Sequence, residues 1–185
     1  MTQFEFHTPQ TAPEAARPLL EGARAKLGFV PSLYAGLAEA PTALQAYLTL
    51  ADLLSRSSLT PTEQQVVALT ASAENGCDFC MAAHSTIARS MVKVNGAIVD
   101  ALRAQRPLPN TQLEALRAFV LAVVRERGRV RGSALETFLE VGYTRQQALD
   151  VILGVAMKTL SNYANHLLET PIDAPFQAES WSPAA

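Results

Sequence analysis

Thr60-Pro61-Thr62-Glu63 announces a helix in three ways at once. Thr60 carries the hydroxyl of an N-cap, and Pro61 suits the first helical position, where its missing N–H would have no partner anyway. Glu63 is spaced to reach back and complete a capping box. Val66, Val67, Leu69 and Thr70 follow, and Asn75-Gly76 marks the stop. The same grammar recurs along the chain. Thr144 with Gln147 opens a last long helix to about residue 168, and Asn110 caps a helix with Leu113, Leu116, Phe119, Val120, Val123 and Val124 on one stripe. Residues 13–27 read as a helix ending at Gly28, with Pro18 calling for a kink or a later start. Pro31 and Pro41 punctuate two further pieces, and shorter helices are predicted over 97–106 and 133–141. No segment alternates with period two, so the expected class is all-α.

Three segments are expected: an N-terminal arm over 1–12, one helical domain over 13–170, and a Pro-containing tail over 171–185 that wraps the surface or a neighbouring subunit. At 185 residues with 49% hydrophobic and 17% charged content, the chain suits one globular domain. A formal charge of -2 gives no general attraction for nucleic acid or an anionic membrane. Arg125, Arg127, Arg129 and Arg131 form a local exception, read as a solvated loop because no aromatic residues interleave with them. The first residues lack the basic start and apolar run of a signal peptide, and no run of roughly 18 apolar residues occurs. The default expectation is the cytoplasm, where thiols stay reduced.

Both cysteines and one of the three histidines fall within Glu74-Asn75-Gly76-Cys77-Asp78-Phe79-Cys80-Met81-Ala82-Ala83-His84. On a helix, steps of three and four residues put Cys77, Cys80 and His84 on one face. A thiolate is the reactive form, so such a site must lower a cysteine pKa from about 8.5. A helix N-terminus after Gly76 favours Cys77, whereas His84, four residues beyond Cys80, favours Cys80. Spacing alone does not choose between them. It does let the two sulfurs close a disulfide with little movement. Glu74, beside the turn into the motif, is the candidate carboxylate to orient and charge the imidazole. Glu63 reads more simply as the capping partner. Two other readings are buried small hydrophobes and a zinc site with Cys77, Cys80, His84 and Glu74 as ligands. Elsewhere, His166 reads as a helix-end histidine, Tyr163 as core, and His7 as part of a loose arm.

The chain also resembles the AhpD-like alkylhydroperoxidase branch of the carboxymuconolactone decarboxylase superfamily. The likeness runs from about residue 28 to 170. It rests on Gly28-Phe29-Val30-Pro31-Ser32-Leu33, Leu59-Thr60-Pro61-Thr62-Glu63, Asn75-Gly76-Cys77-Asp78-Phe79-Cys80 with His84, and Leu160-Ser161-Asn162-Tyr163. The resemblance implies an antiparallel helical bundle that forms trimers or hexamers, with no cofactor beyond the dithiol/disulfide itself. It implies that Cys80 attacks a hydroperoxide, Cys77 resolves the sulfenic acid, and His84 helps deprotonate the attacking thiol. A dithiol partner, a lipoylated protein in the best-known members, would be the reductant. The rivals are a non-catalytic redox-sensing module and, lower, a carboxymuconolactone decarboxylase. Two departures stand out. Gln65 occupies the place of a relay glutamate common among members, which is why Glu74 is the expected substitute. Phe79 stands where some members have a histidine.

Overall fold

The computed structural model describes residues 4–130 and 132–182. Among them are nine α-helices and no strand. They are α1 (Arg17–Leu27), α2 (Ser32–Leu37), α3 (Pro41–Ser55), α4 (Pro61–Glu74), α5 (Asp78–Thr86), α6 (Gly96–Arg103), α7 (Thr111–Arg125), α8 (Ser133–Glu140) and α9 (Arg145–Leu168). Arg131 lies outside the described residues, as do 1–3 and 183–185.

The expected caps form. Thr60 Oγ1 accepts from Glu63 N while Glu63 Oε2 accepts from Thr60 N, and Thr144 and Gln147 make the same reciprocal pair. Asn110 accepts from Leu113 N. Pro18 sits in the first turn of α1, preceded by a 3₁₀ turn at Glu14–Ala16, so the helix starts late rather than kinking. The motif helix, α5, ends at Thr86. Beyond it the chain continues as a π-helical segment, Ile87–Val92, closed by Lys93 at φ 61°.

Helix α4 is the axis of the molecule. Val66, Val67, Leu69 and Ala71 are all fully buried, as a helix enclosed on every side requires. It packs against α5, α7 and α9. Gly154 lets α9 come close: a Cβ there would lie 2.7 Å from Val67 Cγ1. This contact brings the face of α9 one turn further on against the start of α5.

Two peripheral expectations change. His7 is not loose: its N–H donates to Ala35 O, and its ring lies 2.8 Å from Glu39 Oε2. Tyr163 is not core, being 61% exposed. The tail folds on its own chain. Its 3₁₀ turn Ala174–Glu179 packs on α5, Phe176 meets Phe29 and Phe79 edge to face, and Trp181 Nε1 donates to Arg103 O at 2.8 Å. Among the described residues no helix is long and apolar enough to cross a membrane.

Candidate active site

The turn between α4 and α5 is three residues long, Asn75, Gly76 and Cys77, and its last residue is a cysteine. α4 closes in a Schellman arrangement: Gly76 adopts φ 68°, its N–H reaches Ala73 O, and Cys77 N–H reaches Ser72 O at 2.9 Å. Cys77 then serves at once as the N-cap of α5, with its Sγ accepting from Cys80 N–H at 3.4 Å. A left-handed glycine followed immediately by a capping thiol therefore sets the position of both sulfurs. They approach to 3.3 Å, unbonded and buried. The S–S bond length is about 2.0 Å, so a small shift would join them.

The opposite wall comes from α9. Lys158, Ser161, Asn162 and Asn165 are buried at i, i+3, i+4 and i+7 on one face of that helix. Asn165 Nδ2 lies 3.2 Å from Cys80 Sγ and 3.7 Å from Cys77 Sγ, and Ser161 Oγ lies 3.8 Å from Cys80 Sγ. Asn162 ties this wall to the turn, accepting from Asn75 Nδ2 at 2.9 Å and donating to Ser72 Oγ at 3.3 Å. Among the described residues Asn165 Oδ1 has no hydrogen-bond partner. Its amide is turned wholly toward giving hydrogens to sulfur, at a cost of about 1–3 kcal/mol for the stranded oxygen.

This setting separates the two thiols. The hydrogen bond to Cys80, then burial, pushes Cys77 up and keeps its proton in place. Burial also opposes ionisation of Cys80. The Cys77 hydrogen bond, the Lys158 charge and the contacts to Ser161 and Lys158 together outweigh it and hold Cys80 well below the usual thiol range. The two shifts run in opposite directions, favouring the thiol at Cys77 and the thiolate at Cys80.

His84 is held elsewhere. Its Nδ1 meets Gln65 Oε1 at 3.0 Å, and among the described residues it hydrogen-bonds neither sulfur. Gln65, at the relay position, keeps the ring in place by fixing the proton on Nδ1, leaving Nε2 to accept. Burial, then the Lys158 charge, pushes the imidazole well below its ordinary pKa, so it is neutral at neutral pH. Glu74 does not reach it. Both Glu74 oxygens are taken by Arg125, at 2.7 and 2.8 Å. The structure thus brings Cys77 and Cys80 together, sets His84 one turn away on Gln65, and pairs Glu74 with a surface arginine. Among the described residues no three His, Cys, Asp or Glu converge as a metal site.

His84, Gln65, Tyr34, Tyr47 and Met157 line a cavity of about 200 Å³. Through Tyr34, Ala51 and Ser55 it adjoins a groove of about 430 Å³ between α1 and α3. Tyr34 and Tyr47 stand edge to face at 5.7 Å. Burial, then the Cys80 and Cys77 charges, raises the Tyr47 hydroxyl, which places that ring beside both the cavity and the sulfurs.

The sequence matches the carboxymuconolactone decarboxylase family over residues 38–123. Solved structures share the fold. A peroxidase-related protein with an alkylhydroperoxidase AhpD core, from Ralstonia eutropha JMP134, is 24% identical with a TM-score of 0.83, over 98% of this chain and 97% of that one. The chain has an AhpD-like fold, and its central region matches the carboxymuconolactone decarboxylase family. A peroxidase-related protein from Silicibacter sp. TM1040 superimposes at 18% identity and TM-score 0.79, over 95% and 93% of the two chains. The debrominase Bmp8 does so at 20% and 0.79, over 97% and 96%. A cysteine-to-alanine variant of Bmp8 has been solved with 2,3,4-tribromopyrrole. No functionally curated protein matches the sequence. For this AhpD-like chain the family match stops in α7, before the α9 wall begins. Lys158, Ser161 and Asn165 were not singled out from sequence. Their signal was nonetheless there: polar residues at helical spacing inside the otherwise apolar run 151–160 and its continuation.

Proposed function

We propose that this protein is a thiol-dependent alkyl hydroperoxide reductase. The observation that carries the reading is the pair of buried, unbonded sulfurs 3.3 Å apart, in surroundings that favour the thiolate at Cys80. The Cys80 thiolate attacks the terminal peroxide oxygen, the O–O bond breaks, and the alkoxide leaves and takes a proton. Cys77 then displaces water from the sulfenic sulfur of Cys80 to form the disulfide. A dithiol, such as a lipoyl group carried on a protein, returns two electrons and two protons. His84, through Nε2, relays the proton away from Cys80 when reduction regenerates the thiol. The aromatic-lined cavity suits an organic hydroperoxide. Assembly as a trimer or hexamer is part of the same reading, and Leu149, Ile152, Tyr163 and Leu167, exposed along one side of α9, are the surface we assign to subunit contact.

The test is one equivalent of cumene hydroperoxide followed by thiol counting and mass spectrometry, then turnover with dihydrolipoamide. Loss of both thiols with sustained turnover supports the reading. Disulfide formation without turnover points to a redox-sensing module, and intact thiols overturn the peroxidase. The same dithiol supplies the two electrons of a reductive debromination. The likeness to Bmp8 therefore makes 2,3,4-tribromopyrrole the second compound to offer.

A further inference from the structure

Lys158 is buried to 1% exposure, and the cycle above gives it no task. Among the described residues no carboxylate lies within ion-pair distance of it. A buried ammonium without a counter-charge is strongly unfavourable, so something in its surroundings must supply the negative charge or the amine must be neutral. Helix geometry shows what it faces. Ser161, one turn on, donates to Lys158 O at 3.2 Å and contacts Cys80; Asn165, two turns on, contacts both sulfurs. Lys158 shares the buried face of α9 from which Ser161 and Asn165 meet the sulfurs, and its charge acts on Cys80. The other titratable groups around it are Cys77 and His84 of α5 and Tyr34 of α2, with Tyr47 of α3 beside the sulfurs. Of this set only a thiol can become an anion near neutral pH.

We propose that Lys158 is a catalytic residue: its ammonium is the counter-ion of the Cys80 thiolate, and it gives up its proton when Cys80 and Cys77 join. The assignment rests on the dithiol-to-disulfide reading of the site, and not on which oxidant the protein uses. Once the disulfide forms, the thiolate charge is gone and a protonated Lys158 would be a buried, unpaired cation. With a hydroperoxide the balance closes without solvent protons. The thiolate, the Cys77 thiol, the ammonium and ROOH become a disulfide, ROH, water and a neutral amine. The alkoxide leaving Cys80 takes its proton from Lys158. The dithiol reductant restores both the thiolate and the ammonium.

Two measurements on the full chain decide this. The first is the pH profile of Cys80 alkylation by iodoacetamide. In the wild type the midpoint should lie below the ordinary thiol value of about 8.5. Lys158→Met, which keeps the apolar stem, should raise it by at least about one unit, and Lys158→Arg should keep it low. The second is proton uptake during oxidation by diamide, which accepts two electrons and two protons from a dithiol and needs no peroxide site. At neutral pH the wild type should exchange no proton with solvent. Lys158→Arg, whose guanidinium does not deprotonate, should take up one proton per disulfide. An unmoved alkylation midpoint in Lys158→Met, or one proton taken up by the wild type, overturns the assignment. If Lys158→Met does not fold, the one-proton difference between wild type and Lys158→Arg still decides. If both measurements come out as expected but cumene hydroperoxide is not turned over, the peroxidase reading falls and the Lys158 assignment stands.

Discussion

The two walls of the site are built from different kinds of sequence. The α4–α5 wall is local: Ser72 to His84 carries the helix stop, the glycine, both cysteines and the imidazole in one short stretch. The α9 wall is remote in sequence and carries no sulfur of its own. Asn165 reaches Cys80 across a separation of 85 residues, and Ser161 across 81. The local wall decides which atoms can react, because Cys77 must cap α5 wherever Gly76 turns the chain. The remote wall helps set the charge state that each sulfur favours. Burial alone would keep both thiols protonated; the Cys77 hydrogen bond, joined by the Lys158 charge and Ser161 of α9, opposes this at Cys80. A cysteine pair at this spacing is therefore only half of a redox site.

The contrast is tested most severely at the sulfurs. Cys80→Ser is expected to bring organic hydroperoxide consumption down to background, whereas Cys77→Ser should still react once and stop as a sulfenic acid, seen by dimedone labelling and mass spectrometry. Equal, complete loss in both variants would mean that the asymmetry between the two thiols does not govern the chemistry. A smaller effect is expected on α9 itself. Asn165→Leu removes a donor from both sulfurs, and hydrogen bonds to a charged group contribute about 1.5–3 kcal/mol, so the single-turnover rate at neutral pH should fall by about tenfold or more. Because the change also removes the stranded Oδ1, the thermal midpoint should move little. A large stability loss with an unchanged rate would make Asn165 a packing residue only.

The all-α class, the starts of α4, α7 and α9, and the end of α4 were legible because each is written in three to five adjacent residues. A capping box is a local contract between side chain and backbone, and the rest of the fold only has to leave it alone. The π-helical segment after Thr86 was not legible, because no cap or proline marks that change of winding. The docking of His7 was missed for a related reason: its partners, Ala35 and Glu39, are distant in sequence. In the site, Cys77, Cys80 and His84 were found from spacing. Gln65 was seen only as a missing acid, although as a neutral amide it fixes the histidine tautomer. Lys158 lay unnoticed because a lone lysine on a long helix usually reads as a solvated charge. Only the crossing at Gly154, which brings α9 against α4, turns that lysine inward.

His84 sharpens the comparison through pH. Its pKa in the folded chain is below the unfolded value of about 6.5, so below that pH the unfolded chain binds a proton that the native chain refuses. Stability therefore drops as pH falls below about 6.5, and His84 contributes no pH dependence above it. In His84→Gln this component is absent. Denaturant midpoints at about pH 7.5 and about pH 5.5 should differ less in the variant than in the wild type. An equal difference in both proteins would show that the ring is not held neutral by burial and by Lys158.

The smallest effect is expected at Glu74, where the local wall looks most catalytic in sequence and is least so in space. Glu74→Gln breaks a two-point pair with Arg125, an arginine 57% exposed to solvent. Exposed ion pairs contribute about 0–1 kcal/mol, so the melting temperature should shift by only a few degrees and by less in high salt. Peroxide turnover should stay at the wild-type rate, since the imidazole is held by Gln65. The complementary change, Gln65→Glu, restores an acid at the relay position within hydrogen-bond reach of His84 Nδ1. It should raise the histidine pKa, because a carboxylate favours the imidazolium that a neutral amide does not. A rate that falls in Glu74→Gln while the histidine titration stays in place would return a carboxylate to the α4–α5 turn and require a second path for the proton.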